Sequence, residues 1–276
     1  MSEVIPVSAL WLALREAADA RSRSVALART AAAMTRAPLV VHDLGSGTGS
    51  MMRWLAPLLP VPQTWVLHDW NDALLDHARR SFDADAGDSS GSDVPEPTVR
   101  TRVGDLAGLT GDDLAGASLV TMSALLDVLT LDETEAIVRA CVATGAPALF
   151  TLSVTGRVRV HPPDPGDRLF ESAFNDHQRR TTAGRRLLGP DAATEATTLF
   201  RAAGWSVRVE ASPWVLDASE PALIREWLEG WIAAAVEERP ALAEWGDEYL
   251  LARSRQLAGG TLSVVVDHRD LLAWPS

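Results

Sequence analysis

The chain contains no lysine, so all 25 of its basic residues are arginine. That absence excludes Schiff-base catalysis, including pyridoxal phosphate chemistry. It also excludes a phosphate-cradling P-loop, which needs Gly-Lys-Ser/Thr where this chain has Gly49-Ser50-Met51. There is a single cysteine, Cys141, so no intrachain disulfide can form, and a reducing, cytoplasmic setting is expected. Cys141 lies in an apolar helical context and reads as core. The six histidines show no metal-ligand spacing with cysteine or carboxylates, and no metal is expected. No apolar run approaches the ~20 residues of a membrane span. The first residues lack the basic start and cleavage site of a signal peptide. The net charge of −12 argues against a nucleic-acid partner, which calls for a basic face.

Against these absences stands one stretch, Pro38-Leu-Val-Val-His-Asp43-Leu-Gly45-Ser46-Gly47-Thr-Gly49-Ser50. Leu39 to Val41 form a short apolar run suited to a covered parallel strand. Three glycines at alternate positions remove Cβ atoms from the following turn, so that backbone can approach a ligand closely. Met51 to Leu55 open a helical pattern that Pro57 and Pro60 end. A dinucleotide fingerprint wants glycine where Ser50 stands, so that match is partial. Asp43, two residues before the first glycine, would repel a diphosphate and attract a cation.

Gln63 to Asp69 read as a second strand ending in an acid, placed to accept the hydroxyl protons of a ribose. Trp70 follows and either packs on adenine or joins the core. Asp72 to Arg80 read as a helix. Residues 83–97 are acidic and rich in Gly, Ser and Pro, and read as a mobile loop without catalytic role. Thr98 to Val103 alternate as an arginine-decorated strand near a sheet edge. Asp105 ends it, placed to accept from an adenine amine, with Leu106 next. Carboxylates thus recur at three successive strand ends, on the edge where doubly wound folds bind ligands.

These signals arrive in the order and spacing of a known family. From residue 38 to about 155 the chain resembles the class I S-adenosylmethionine (SAM) dependent methyltransferases. Asp43-Leu-Gly-Ser-Gly-Thr-Gly49 resembles motif I, Asp69 the ribose-binding acid of motif II, and Asp105-Leu106 the adenine-binding pair of motif III. Ala117 to Leu129 resemble the fourth strand and its turn, where the resemblance places Ser123 and Ala124 against the methionine part of SAM. It implies an α/β fold with a Rossmann-like, seven-stranded, mostly parallel sheet. It also implies SAM as cofactor, held by Asp43, Gly45, Ser46, Gly47, Gly49, Asp69, Trp70, Asp105, Leu106, Ser123 and Ala124. The Asn-Pro-Pro-Tyr tetrapeptide of enzymes that methylate nucleobase or glutamine nitrogen is absent. Asp127, just past the fourth strand, is a candidate general base, or else a local cap.

The remainder surrounds this centre. Residues 1–37 read as a helical cap carrying five arginines against three acids, either covering the sheet edge or acting as a lid over the cofactor. The cofactor domain is then 38–276, with insertions at about 157–190 and 218–259. In the first insertion, seven arginines against four acids point to an anionic small-molecule acceptor. Arg179, Arg180, Arg185 and Arg186 are its candidate ligands, His161 a further contact, and His177 a candidate base. Its prolines argue against regular structure at the start. The helical second insertion carries Trp227, Trp231 and Trp245, as core or as pocket wall. It interrupts the last two strands, which a hairpin usually joins. Methyl transfer to a small molecule is the leading reading. An NAD-dependent oxidoreductase and a non-catalytic SAM-binding protein are the alternatives.

Overall fold

The computed structural model describes residues 7–88 and 95–276, with backbone alone for 83–88. Two helices open the chain, α1 (Ala9–Ser22) and α2 (Val25–Met34), each capped by a serine hydroxyl. Ser8 Oγ accepts from Trp11 N at 3.1 Å and Ser24 Oγ from Leu27 N at 3.1 Å. Strand β1 (Leu39–Leu44), helix α3 (Ser50–Leu55), β2 (Gln63–Asp69), α4 (Asp72–Asp88) and β3 (Thr98–Val103) follow. Then come β4 (Leu119–Ser123), α5 (Leu131–Thr144), β5 (Ala148–His161) and α6 (Asp167–Gln178). A two-residue hairpin, β6 (Thr181–Thr182) and β7 (Arg185–Arg186), leads to α7 (Ala192–Ala202), β8 (Trp205–Ala211) and β9 (Trp214–Leu216). Helices α8 (Pro221–Glu238) and α9 (Ala243–Ala258) precede the last strand, β10 (Ser263–Pro275).

The sheet order is β3-β2-β1-β4-β5-β10-β8, with β9 also paired to β10. The first five strands are parallel and β10 runs against all three strands it pairs with. This is the mostly parallel Rossmann-like sheet expected from the sequence. The eighth strand arises because the outer column breaks at Ser212-Pro213. β8 pairs with residues 269–275 and β9 with residues 264–266 of the same β10. The arginine-bearing β3 is the opposite edge, as its exposed pattern foretold.

Both faces are covered, so the central strands are largely apolar, with buried polar residues such as Asp43 and Thr121 among them. Ile137, Val138 and Cys141 of α5 and Ala192, Ala196 and Phe200 of α7 close one face over Val120, Phe150 and Leu271. Leu27, Ala28 and Ala31 of α2, Met51, Met52 and Leu55 of α3, and Leu75 and Ala78 of α4 close the other over Val41, Trp65 and Leu67. Cys141 is fully buried there, and desolvation pushes its thiol up to about 12, which leaves it inert at neutral pH.

Two expectations are corrected. The helix expected to stop at Arg80 runs to Asp88, into the segment read as loop, because Phe82 packs on the core and alanines continue the turn. Residues 89–94 of that expected loop lie outside the described residues. Further on, residues 157–161 are regular rather than irregular: β5 continues to His161, paired with the first residues of β10. This long arm of β5 and β10, joined by β9 at residues 264–266 of β10, extends the sheet and carries α6, α8 and α9. They pack around Phe170, whose ring lies 4.6 Å from Tyr249 and 6.0 Å from Trp231.

Candidate active site

The glycine turn after β1 has a shape only glycine adopts easily: φ is +64° at Gly45, +54° at Gly47 and +81° at Gly49. It is tied to the end of β2, where Ser46 N donates to His68 O at 2.9 Å and Gly47 N to Asp69 Oδ2 at 2.8 Å. Asp69 Oδ1 accepts from Asn71 N at 2.9 Å, so this buried carboxylate is fixed by backbone on both sides.

Asp43 lies fully buried beside it. Thr121 Oγ1 donates to its Oδ1 at 2.7 Å, while its Oδ2 has no partner. Burial raises its carboxyl to about 6, against the hydrogen bond from Thr121 and the charge of Arg23. Ser46 Oγ is also buried without a partner.

Arg23, between α1 and α2, reaches the same place and is only 3% exposed. Its Nη2 donates to Ser50 Oγ and to Ser123 Oγ, each at 3.0 Å, and its Nε is unpaired. No carboxylate lies within salt-bridge distance of it among the described residues. Desolvation lowers its pKa. Its Nη1 adds a long hydrogen bond to Ser50 O at 3.5 Å, and a buried cation held by hydroxyls and a carbonyl is costly unless an anion completes it.

The cap also closes the turn. A Cβ on Gly45 would collide with the Leu125 side chain, and one on Gly47 would lie 3.1 Å from Leu12 Cδ1. Arg53 on α3 locks α1 down through a bidentate pair with Glu16, 2.7 Å at each oxygen. The turn therefore does not stand open, as an uncovered cofactor cleft would. A ligand there requires the branched ends of Leu12 and Leu125 to turn aside.

Asp270 on β10 organises the junction. It accepts from Ser24 N (2.7 Å), Leu152 N (2.8 Å) and Ser212 Oγ (2.5 Å). It thus fixes the start of α2 and the left-handed Leu152 (φ +56°). Ala124 is left-handed too (φ +51°). Both residues line a cavity of about 210 Å³ that continues past the strand ends. Its walls are Trp11, Trp214, Trp227, Trp231 and Phe174, with Arg15, Arg157, Asp127, Gln178 and His268 among them.

No protein-family model and no curated protein matches the chain. Solved structures resemble it distantly. A SAM-dependent methyltransferase from Thiobacillus denitrificans, in complex with S-adenosylhomocysteine, is 17% identical over 99% of this chain and 100% of that one (TM-score 0.47). One from Geobacter sulfurreducens with the same ligand is 15% identical over 99% and 100% (TM-score 0.47). A cyclopropane synthase from Mycobacterium tuberculosis is 13% identical over 90% and 81% (TM-score 0.49). Likeness this distant decides neither ligand nor reaction, which rest on the residues themselves.

The expected site residues divide accordingly. Asp43, Gly45, Ser46, Gly47, Gly49, Asp69 and Ser123 meet around the turn, and Ala124 borders the cavity. Asp105 does not join them: it is exposed and caps its own turn, accepting from Ala107 N at 2.9 Å. Trp70 is 45% exposed, not core, and Leu106 is half-buried. Asp127 lines the cavity, and burial raises its carboxyl above the ordinary value.

His177 does not line the cavity. Its Nε2 lies 3.3 Å from Glu237 and its Nδ1 3.0 Å from Arg180 Nη1. One residue on, Gln178 turns inward, its Nε2 3.5 Å from Asp127 Oδ2. His161 is exposed at the tip of the β5 arm, ten residues past Thr151 and so roughly 30 Å along the strand. The arginine cluster is corrected as well. Arg179 pairs with Asp191 (2.6 and 2.8 Å) and Arg185 with Glu133 (3.0 and 2.6 Å). Arg180 donates to His177 O at 2.8 Å, and neither it nor Arg186 borders the cavity.

Sequence reasoning passed over Arg15, Arg23, His268, Trp11 and Trp214. The lid reading of the arginine-rich first 37 residues was the one signal toward Arg15 and Arg23. Nothing in the pattern of β10 marks His268.

Proposed function

We propose that the chain is a SAM-dependent methyltransferase acting on a small-molecule acceptor. One observation carries the reading: a buried arginine and a buried aspartate, each with an unpaired polar atom, flank a glycine turn whose neighbouring strand ends in a second fixed aspartate. Arg23 and Asp43 complement the carboxylate and ammonium of an amino acid. Asp69 has lone pairs left for ribose hydroxyls. The group they fit is an adenosyl amino acid, and not a dinucleotide, whose diphosphate Asp43 would repel. When bound, SAM supplies a methyl group on a positively charged sulfur.

This chain's own contribution is placement. Arg23 and Asp43 hold the two ends of the amino acid, and the left-handed Ala124 and Leu152 shape the passage into the tryptophan-lined cavity. Walls of that kind exclude water and hold an acceptor in line, from which much of the acceleration derives. Asp127 Oδ2 is the atom to take the acceptor's proton, and a carboxyl raised by burial is a better base at neutral pH. Trp70 and Leu106 flank the adenine in this reading, while Asp105, exposed and capping its own turn, takes no part.

The test is isothermal titration with S-adenosylhomocysteine, followed by assay of its production from SAM with cell extract as acceptor source. The expected result is binding and turnover. Absence of binding to the wild-type chain overturns the reading. Binding without turnover leaves a SAM-binding protein instead.

A further inference from the structure

The cavity has a composition that restricts its occupant. Trp227 and Trp231 stack with ring centroids 5.3 Å apart and planes 18° from parallel. Trp11 and Trp214 stand opposed at 6.4 Å and 59°. Tryptophan faces favour two classes of guest, flat rings and cations. The cation's place is already taken: the Arg15 guanidinium lies 4.9 Å from the Trp214 ring centroid and 5.9 Å from that of Trp11. Arg15 is itself paired with Asp19 at 3.0 Å, and Arg157 borders the same space opposite the carboxylate Asp127, so no carboxylate there is left over for a cationic guest. A cationic guest finds the Trp214 face occupied, whereas a neutral ring has the faces of Trp227 and Trp231.

The polar groups are unfinished. Among the lining residues, His268 Nδ1, Trp231 Nε1 and Gln178 Oε1 are buried and have no hydrogen-bond partner. His268 is 4% exposed and Trp231 2%. Unpaired polar atoms in such places are rare in folded chains and call for an explanation. Burial, and then the charge of Arg15, hold His268 neutral, with its pKa lowered to about 3. A neutral imidazole nitrogen and an amide oxygen accept, while an indole N–H donates. A hydroxyl accepts from the indole N–H and donates its one proton to the imidazole nitrogen, completing both. A volume of about 210 Å³ lies below the usual range for drug-sized ligands, so one or two rings fill it.

We propose that this cavity selects a flat aromatic acceptor bearing a hydroxyl group, its rings against the tryptophan faces and its hydroxyl read by His268 and Trp231. This rests on the proposed function for the word acceptor, but the recognition itself needs no donor.

The test is titration of the wild-type chain, without SAM, with 2-naphthol, 2-methoxynaphthalene, cyclohexanol and tetramethylammonium, with S-adenosylhomocysteine titrated separately. The expected result is that 2-naphthol binds at least tenfold more tightly than its methyl ether, and that the last two probes do not bind. In His268→Phe, which keeps a ring and removes the nitrogens, the naphthol preference falls to about one. In Trp227→Ala, at a half-buried position and with folding checked by circular dichroism, both naphthalenes weaken together and their ratio stays. Equal binding of cyclohexanol or tetramethylammonium, no binding of 2-naphthol, or a preference that survives His268→Phe would each overturn the proposal. Because S-adenosylhomocysteine is measured apart, loss of donor binding with intact naphthol selectivity would refute methyl transfer and leave the aromatic site standing.

Discussion

Replacing Arg23 by methionine separates its cost to the fold from its use in binding. The side chain is nearly isosteric and its position is 3% exposed, so packing is preserved. Folding loses two charge-assisted hydrogen bonds, to Ser50 Oγ and Ser123 Oγ, each worth about 1.5–3 kcal/mol, and a weaker one of 3.5 Å to Ser50 O. It regains the several kcal/mol spent on desolvating an unpaired guanidinium. The two nearly cancel, and Arg23→Met should change unfolding stability by no more than about 2 kcal/mol. Binding has no such compensation. A ligand carboxylate left buried without its cation costs about 2–4 kcal/mol, roughly a 30- to 700-fold rise in Kd. Urea unfolding gives the first quantity and calorimetric titration with S-adenosylhomocysteine the second. 5′-Methylthioadenosine, which lacks the amino and carboxylate groups, is the control and should bind wild type and variant alike. If Arg23→Met weakens both ligands equally, or neither, Arg23 does not hold the amino-acid carboxylate.

Other outcomes follow from the same residues. Asp43 must be ionised to hold an ammonium, so S-adenosylhomocysteine affinity should fall about tenfold per pH unit below about 6 in the wild type and stay flat in Asp43→Asn. In folding the sign is opposite. A carboxyl raised from 3.8 to about 6 contributes stability that is present below pH 3.8 and lost as pH rises to 6. Asp43→Asn should therefore gain about 3 kcal/mol on wild type between pH 4 and 6.5, read by urea melts at each pH. Asp270→Ala breaks three buried hydrogen bonds that join α2, β5 and the Ser212 break, and should cost about 3–5 kcal/mol by thermal or urea unfolding. Arg179→Ala and Arg185→Ala remove ion pairs at the surface of the chain. They should shift stability by no more than about 1 kcal/mol and leave the acceptor KM unchanged.

The sheet was legible because its causes are local. Apolar runs at β1, β2, β4 and β5 announce strands buried on both faces. The glycines announce the left-handed turn, and Asp69 stands one side chain from the backbone it fixes. Even the edge position of β3 could be read from its alternating arginines. The helix beyond Arg80 was not, because acid and serine content outweighed the anchoring of Phe82, which depends on a core gathered from several strands.

What lies over the turn and beside it was decided only in three dimensions. Arg23 acts across 27 residues on Ser50 and across 100 on Ser123, and no spacing rule links them. The cavity gathers Trp11, Trp214, Trp227 and His268 from α1, β9, α8 and β10, elements that meet because the β5–β10 arm outgrows the sheet. Conversely, the arginines most conspicuous in the sequence found carboxylates of their own, Asp191 and Glu133, brought near by folding. Hydrophobic periodicity and glycine conformation are properties of neighbouring residues, so the sequence alone determined the nucleotide-type scaffold and its acidic strand ends. Charge pairing and pocket shape are properties of distant residues made adjacent, so only the tertiary structure decided which cations stay free and what the site can hold.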